Sequence, residues 1–274
     1  MQRRTIFFVS DQTGVTAETM GHSLLTQFDN AMFRQVTLPF ISTAEKAEEA
    51  VRRINATGET EGVRPVIFST LVQEEMREIV KCANGLFLDF FAAFLEPLEQ
   101  ELGVKSSRTQ GRAHGMLDIG AYTLRIDATN FALANDDGAV TRDYERADLV
   151  LVGVSRSGKT PTCLYMALQY GVFAANFPLA EEEFESGDLP AALMKHKNKL
   201  YGLTITAERL QQIRSERRPN TRYSAPDQVE YEVRSAEAMF RRFNIPFIDT
   251  TSKSIEEIAS RILDATGVER RLRP

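Results

Sequence analysis

The chain of 274 residues has only two cysteines and three histidines, and both scarcities exclude something. Cys82 and Cys163 lie far apart in apolar, helix-patterned surroundings. They read as reduced core residues rather than a disulfide framework, as suits a cytoplasmic protein. His22, His114 and His196 are scattered, so no ligand cluster for a structural zinc is present. Basic excess is also lacking. Lys and Arg number 33 against 38 Asp and Glu, a net charge of −5. Broad binding to nucleic acid or an anionic membrane needs a basic surface, and this chain has none. No apolar run approaches the roughly 20 residues of a membrane span. The opening MQRRTIFFVSDQTG has too short an apolar part for a signal peptide and reads as a strand entering a fold directly. Internal repeats and low-complexity tracts are absent, and so are the [NT]-K-x-D signature of GTPases and the H-R-D and D-F-G signatures of eukaryote-type protein kinases.

What remains is a soluble, globular composition, 43% apolar and 26% charged. Strand-like and helix-like segments alternate from the start. Strands are predicted at 5–9, 35–39 and 65–68, with helices at 17–27, 44–54, 74–83 and 92–102 between and after them. This order argues for a parallel α/β sheet. Residues 104–146 change character, with Gly111, Gly115, Gly120, the turn Asp136-Asp137-Gly138 and a helix near 119–133. They read as a connector carrying functional loops. A second α/β unit follows at 147–274. The expected architecture is therefore an N-terminal α/β domain (1–103), a connector (104–146) and a C-terminal P-loop, kinase-like parallel-sheet domain. The N-terminal domain suits target docking or assembly.

The most informative segment is ADLVLVGVSRSGKTPTCLYMAL, residues 147–168. Gly153, Gly158, Lys159 and Thr160 complete G-x-x-x-x-G-K-[ST]. Leu149–Val154 is the apolar, β-branched run of a buried parallel strand, and 162–168 reads as a helix. A strand, a glycine-bearing loop and a helix start make a phosphate cradle, because backbone N–H groups and the positive end of the helix face the anion together. The candidate nucleotide-binding residues are Gly153, Val154, Ser155, Arg156, Ser157, Gly158, Lys159 and Thr160. Lys159 can reach terminal phosphate oxygens, and the Thr160 hydroxyl can hold Mg²⁺. Pro161 is tolerated in the first helical turn, where its missing N–H costs nothing.

Other residues carry candidate chemistry beside ordinary structural roles. Asp136 and Asp137 can hold Mg²⁺ or accept a proton from an attacking hydroxyl, and Asn-Asp-Asp-Gly is also common turn chemistry. His114 and Asp118 fall one helical turn apart, a spacing open to proton transfer. Ser10, Thr13 and Gly14 form a second strand–loop–helix junction, read as a helix cap by Ser10 or Asp11 or as an anion site. The arginines at 214, 217, 218 and 222 can close over phosphates or simply face solvent. Asp249 is a further Mg²⁺ or capping candidate.

The whole chain resembles one family, the bacterial phosphoenolpyruvate synthase regulatory proteins, relatives of the pyruvate, phosphate dikinase regulatory proteins. The resemblance runs through FFVSDQTGVTAETMGHSLLTQF, TLPFI, GVRPVIFST, the DDG turn, LVLVGVSRSGKTPTCLYMALQYGVFAANFPL, KLYGLTI, ERLQQIRSERRPNTRY and SIEEIASRIL. Its most specific part is GVSRSGKTPT, because a generic P-loop does not require Ser155, Arg156 or Pro161. The resemblance implies a bifunctional enzyme. One activity is an ADP-dependent kinase that phosphorylates a threonine of the synthase beside its catalytic histidine. The other removes that phosphate with inorganic phosphate and yields pyrophosphate. It implies a nucleotide site at 153–160 and assigns no general base. Asp137 and His114 are the candidates from the residues themselves. A P-loop small-molecule kinase and a nucleotide-sensing module without turnover stay open alternatives, and so does a homodimer.

Overall fold

A computed structural model describes residues 3–29, 31–109, 119–138 and 141–272. The chain divides into two compact units, 1–117 and 118–274. The first unit runs β1 (Arg4–Val9), α1 (Val15–Leu25), β2 (Phe33–Leu38), α2 (Ala44–Glu61), β3 (Val66–Ser69), α3 (Glu74–Lys81), β4 (Leu86–Asp89) and α4 (Phe90–Leu102). The second begins with α5 (Ile119–Ala134) and two short 3₁₀ turns. It continues through β5 (Leu149–Val154), α6 (Lys159–Tyr170), β6 (Ala174–Leu179), α7 (Glu181–Ser186), α8 (Ala191–Met194) and β7 (Leu200–Thr204). It ends with α9 (Ala207–Arg217), α10 (Pro226–Arg242), β8 (Phe247–Asp249) and α11 (Ile255–Thr266).

Each unit holds a four-stranded, all-parallel sheet, in the orders β2-β1-β3-β4 and β6-β5-β7-β8. The α/β class expected from alternation is the class observed. The two orders are the same permutation, with the first strand of the unit second in the sheet. After that strand the chain leaves to one side, then crosses to the other. The loops following β5 and β7 therefore diverge, and a crevice opens at the strand ends, where doubly wound sheets bind ligands.

β5 is buried along its whole length. Val150, Val152 and Val154 face one apolar layer with Leu210, Val233 and Phe240. Leu149 and Leu151 face the other, with Met166, Ile258 and Ile262. A strand covered on both faces must be apolar at every position, which is why its sequence shows no alternation. In the first unit, Phe7, Ile54, Ile67 and Val80 fill one side of the sheet, and Ile6, Phe8, Phe68 and Phe90 the other.

The boundary expected at 147 falls earlier. Ala128 and Ala132 of α5 pack against Met166 and Ala167 of α6, and Phe131 and Tyr144 lie in the opposite apolar layer of the same sheet. Residues 119–138 and 141–146 therefore belong to the second unit rather than to a connector. A connector would leave these side chains in water, and burying them supplies the reason. The cysteine reading also needs correction. Cys163 is buried, but Cys82 is exposed at the end of α3, and both are free thiols. Leu86–Asp89, a stretch without a predicted element, is the edge strand β4.

Candidate nucleotide-binding site

The loop between β5 and α6 takes its shape from two glycines. Gly158 is the N-cap of α6 at φ 94° and ψ 10°, a left-handed conformation that L side chains resist. Gly153 is needed for a different reason. A Cβ there would lie 2.4 Å from the Leu203 carbonyl oxygen on the neighbouring strand. The first backbone bond of α6 runs from Thr162 N–H to Gly158 O, 3.2 Å. No side chain caps the helix, so the N–H groups of Lys159 and Thr160 have no partner within it.

Lys159 is only 4% exposed. Its Nζ folds back to donate to Gly153 O at 3.0 Å and Val154 O at 2.9 Å. Burial pushes its pKa down to about 8, with Asp137, Cys163 and Asp136 pulling the other way and Arg214 adding to the fall. Thr160 Oγ donates to Asp136 Oδ1 at 2.8 Å, so the acidic turn reaches the start of α6. Asp136 and Asp137 are fixed by Asn176 of β6. Its side-chain amide donates to Asp136 Oδ1, and its amide oxygen accepts the Asp137 N–H at 3.1 Å. Asp137 sits at φ 51°, and Asn176 is fully buried and held in turn by Tyr144, whose hydroxyl donates to its carbonyl at 3.0 Å.

The rest of the loop is gripped from outside. Ser155 Oγ lies 3.0 Å from the Tyr223 hydroxyl. Arg214 reaches the Ser155 carbonyl, and the Thr250 hydroxyl reaches the Ser157 carbonyl. Arg156 is exposed, with φ 75°. Ser157 is 1% exposed, and its hydroxyl has no hydrogen-bond partner.

Several expectations change. Arg214 does not belong with the solvent-facing arginines, because its side chain is fully buried. Its apolar stem and stacked guanidinium fill the space behind the loop. Arg217 and Arg218 are exposed, and Arg222 pairs with Glu181. Asp249 neither joins the cradle nor caps α11. It accepts from the Thr251 N–H and hydroxyl in a local turn, and Ser254 is the cap. At the first unit's junction, neither Ser10 nor Asp11 caps α1. Gly14 is the N-cap, in a left-handed conformation (φ 86°), and no side chain bonds there. Ser10 accepts from Gln12 N–H and Asp11 from Val72 N–H instead. His114 and Asp118 lie outside the described residues.

Sequence reasoning missed Asn176, Tyr223, Glu232 and Thr250. Asn176 alone carried a visible signal, an amide in the middle of the apolar strand Ala174–Leu179.

A fully buried parallel strand, a turn with a left-handed glycine and a helix opening on Lys-Thr follow one another in an α/β protein, an arrangement with the donors to receive an anion. A model of the kinase/pyrophosphorylase family matches residues 6–263, and the chain belongs to that family. It is 54% identical over 270 residues to a protein of Alcanivorax borkumensis, covering 98% of this chain and 99% of that one. It is 55% identical over 271 residues to one of Pseudomonas putida, covering 99% and 100%. A Marinobacter nauticus protein is 53% identical over 268 residues, covering 98% and 99%. All three bear the name "Putative phosphoenolpyruvate synthase regulatory protein". Among the described residues, no helix is long and apolar enough to cross a membrane.

Proposed function

We propose that the protein regulates phosphoenolpyruvate synthase by reversible phosphorylation of a threonine, with ADP as donor in one direction and inorganic phosphate as acceptor in the other. The observation that carries this reading is the convergence of Lys159, Thr160 and Asp136 on one loop in a kinase/pyrophosphorylase chain. The names of the relatives supply the target.

In the forward direction the threonine oxygen attacks the terminal phosphorus of ADP. The bond from that phosphorus to the bridging oxygen breaks, AMP departs, and the hydroxyl proton passes to a carboxylate. Asp137 is the candidate acceptor. It stands beside Asp136 in the acidic turn, and its charge is felt at Lys159. In reverse, a phosphate oxygen attacks the phosphothreonine, the bond to the threonine oxygen breaks, and pyrophosphate departs as that oxygen regains a proton. Little covalent chemistry falls to the protein, so positioning and charge dominate. Lys159 must leave its two carbonyl partners to meet the phosphate, and the free N–H groups of Lys159 and Thr160 lie at the same helix end.

Mg²⁺ is the expected metal. The hydroxyl of Thr160 and the carboxylate of Asp136 are hard oxygen donors 2.8 Å apart, a set that fits a cation holding few protein ligands and several waters. When bound, it supplies charge neutralisation on the phosphate oxygens. Two free thiols accord with a cytoplasmic setting.

The test is incubation with purified synthase and ADP labelled on its β-phosphorus, with ATP labelled on its γ-phosphorus in parallel. Label from ADP on a synthase threonine supports the reading. Label on a small metabolite, or nucleotide binding without turnover, overturns it in favour of a small-molecule kinase or a sensor.

A further inference from the structure

The Gly153–Thr160 loop is held by residues from outside its own turn, Arg214, Tyr223 and Thr250. Arg214 is fully buried. Its Nη2 donates to Ser155 O at 3.1 Å and to Glu232 Oε2 at 2.7 Å, and its Nη1 donates to Tyr223 O at 3.1 Å. The guanidinium lies 4.3 Å from the centre of the Tyr223 ring, and the Tyr223 hydroxyl meets Ser155 Oγ. A buried arginine is costly unless it is paired and used. Here its one carboxylate partner neutralises the charge, and two of its hydrogen bonds go to backbone carbonyls. Thr250, 9% exposed, does the same two residues further on, with its hydroxyl 3.1 Å from Ser157 O and 3.0 Å from Thr204 O.

A trans peptide points its C=O and the following N–H in opposite directions. A carbonyl held from behind therefore turns the next residue's N–H to the front. The Ser155 carbonyl belongs to the peptide whose N–H is that of Arg156, and the Ser157 carbonyl to the peptide of Gly158. We propose that Arg214 and Thr250 are positioning residues of the phosphate loop. By gripping alternate carbonyls they present the N–H groups of Arg156 and Gly158 to the bound anion. The inference rests on the reading of this loop as the site for ADP and phosphate.

The backbone bears out the grip at its weakest point. Arg156 follows the held carbonyl directly and sits at φ 75°, where a residue with a Cβ loses roughly tenfold in population to ordinary conformations. Gly158 pays no such penalty. Without Arg214, the peptide between Ser155 and Arg156 is the one free to flip, and the flip would turn a carbonyl oxygen toward the phosphate.

The experiment measures binding of ADP and of pyrophosphate by calorimetry, on variants whose folding is checked by circular dichroism. Thr250→Val keeps the shape and removes the hydroxyl, and is expected to raise the Kd for both ligands tenfold or more. Thr250→Ser restores the hydroxyl and is expected to bind within about threefold of wild type. Arg214→Lys keeps the charge but cannot reach two carbonyls and Glu232 together. Its loss of affinity is expected to shrink several-fold in an Arg156→Gly background, where the left-handed peptide needs no holding. Wild-type affinity in Thr250→Val, equal losses in Thr250→Val and Thr250→Ser, or an equal Arg214→Lys loss in both backgrounds overturns the inference. If Arg214→Lys does not fold, the Thr250 pair decides. Wild-type protein that binds neither ligand overturns the underlying reading and this inference with it. Wild-type binding with unresponsive variants overturns this inference alone.

Discussion

The Thr160 hydroxyl donates a hydrogen bond to Asp136 Oδ1 at 2.8 Å, joining the first turn of α6 to an acidic turn 24 residues earlier. That contact makes the proposed Mg²⁺ position testable. Thr160→Val keeps the shape and removes one oxygen, and Asp136→Asn removes a charge while keeping the size. Each is expected to weaken Mg²⁺-dependent ADP binding by about tenfold or more, with little loss of melting temperature in Thr160→Val. Titrations of ADP with and without Mg²⁺ provide the check. If the Mg²⁺ effect survives in both variants at full size, these oxygens do not hold the metal.

Lys159 gives a pH dependence with a definite sign. Its pKa falls from 10.5 unfolded to about 8 folded, chiefly through burial. Between those values the unfolded chain holds a proton that the folded chain has lost. The stability of the ligand-free protein therefore rises with pH across that window, by up to about 3 kcal/mol. Lys159→Met is expected to lack the rise. ADP brings negative charge that favours the ammonium, so binding takes up a proton above pH 8, and affinity falls as pH climbs further. Urea unfolding at both ends of the window, and calorimetry in buffers of different ionisation enthalpy, read the two effects. Parallel stability profiles for wild type and Lys159→Met, with no proton uptake on binding, would remove Lys159 from this role.

Arg217 and Arg218 are exposed at the end of α9, unlike Arg214. Replacing both with Ala is expected to lower turnover on the synthase while shifting the melting temperature by only a degree or two, because exposed charges contribute little stability. A large melting shift with preserved turnover would return them to a structural role.

The same stretch shows what sequence could and could not reveal. The strand Leu149–Val154 was legible to the residue because burial on both faces leaves only apolar residues, and the glycine and Lys-Thr pattern fixed the turn after it. The α/β alternation likewise follows from local periodicity. Arg214 was not legible. It shares a polar segment with three other arginines, and only the packing of α9 and α10 behind the loop separates the buried one. Thr250 acts through the carbonyls of Ser157 and Thr204, and Tyr223 through the Ser155 hydroxyl, across 46 to 93 positions, which no local pattern encodes. The unit boundary was misplaced because a Gly-rich stretch resembles a linker until Phe131 and Tyr144 are seen in the core.

Both directions of the reaction are expected to use one site. The sequence contains a single G-x-x-x-x-G-K-[ST] motif. The first unit repeats the sheet order and the left-handed N-cap glycine, but the first residue of α1 is Val15 where α6 has Lys159. A valine cannot meet the charge that develops on a transferring phosphoryl group, so the first position of α1 supplies no equivalent cation. On the proposed reading the cradle would hold ADP in one direction, and in the other inorganic phosphate would occupy part of the same space while it attacks the phosphothreonine. Lys159 would stabilise the equatorial oxygens in either case. Lys159→Ala is therefore expected to lower both activities by about two or more orders of magnitude with the fold retained, and ADP is expected to compete with phosphate in the reverse reaction. A folded Lys159→Ala that dephosphorylates the synthase at the wild-type rate, or ADP inhibition strictly noncompetitive with phosphate, would place the reverse reaction elsewhere. The junction at Ser10–Gly14 would then be the first place to look, since its uncapped helix end retains free N–H groups even without the lysine.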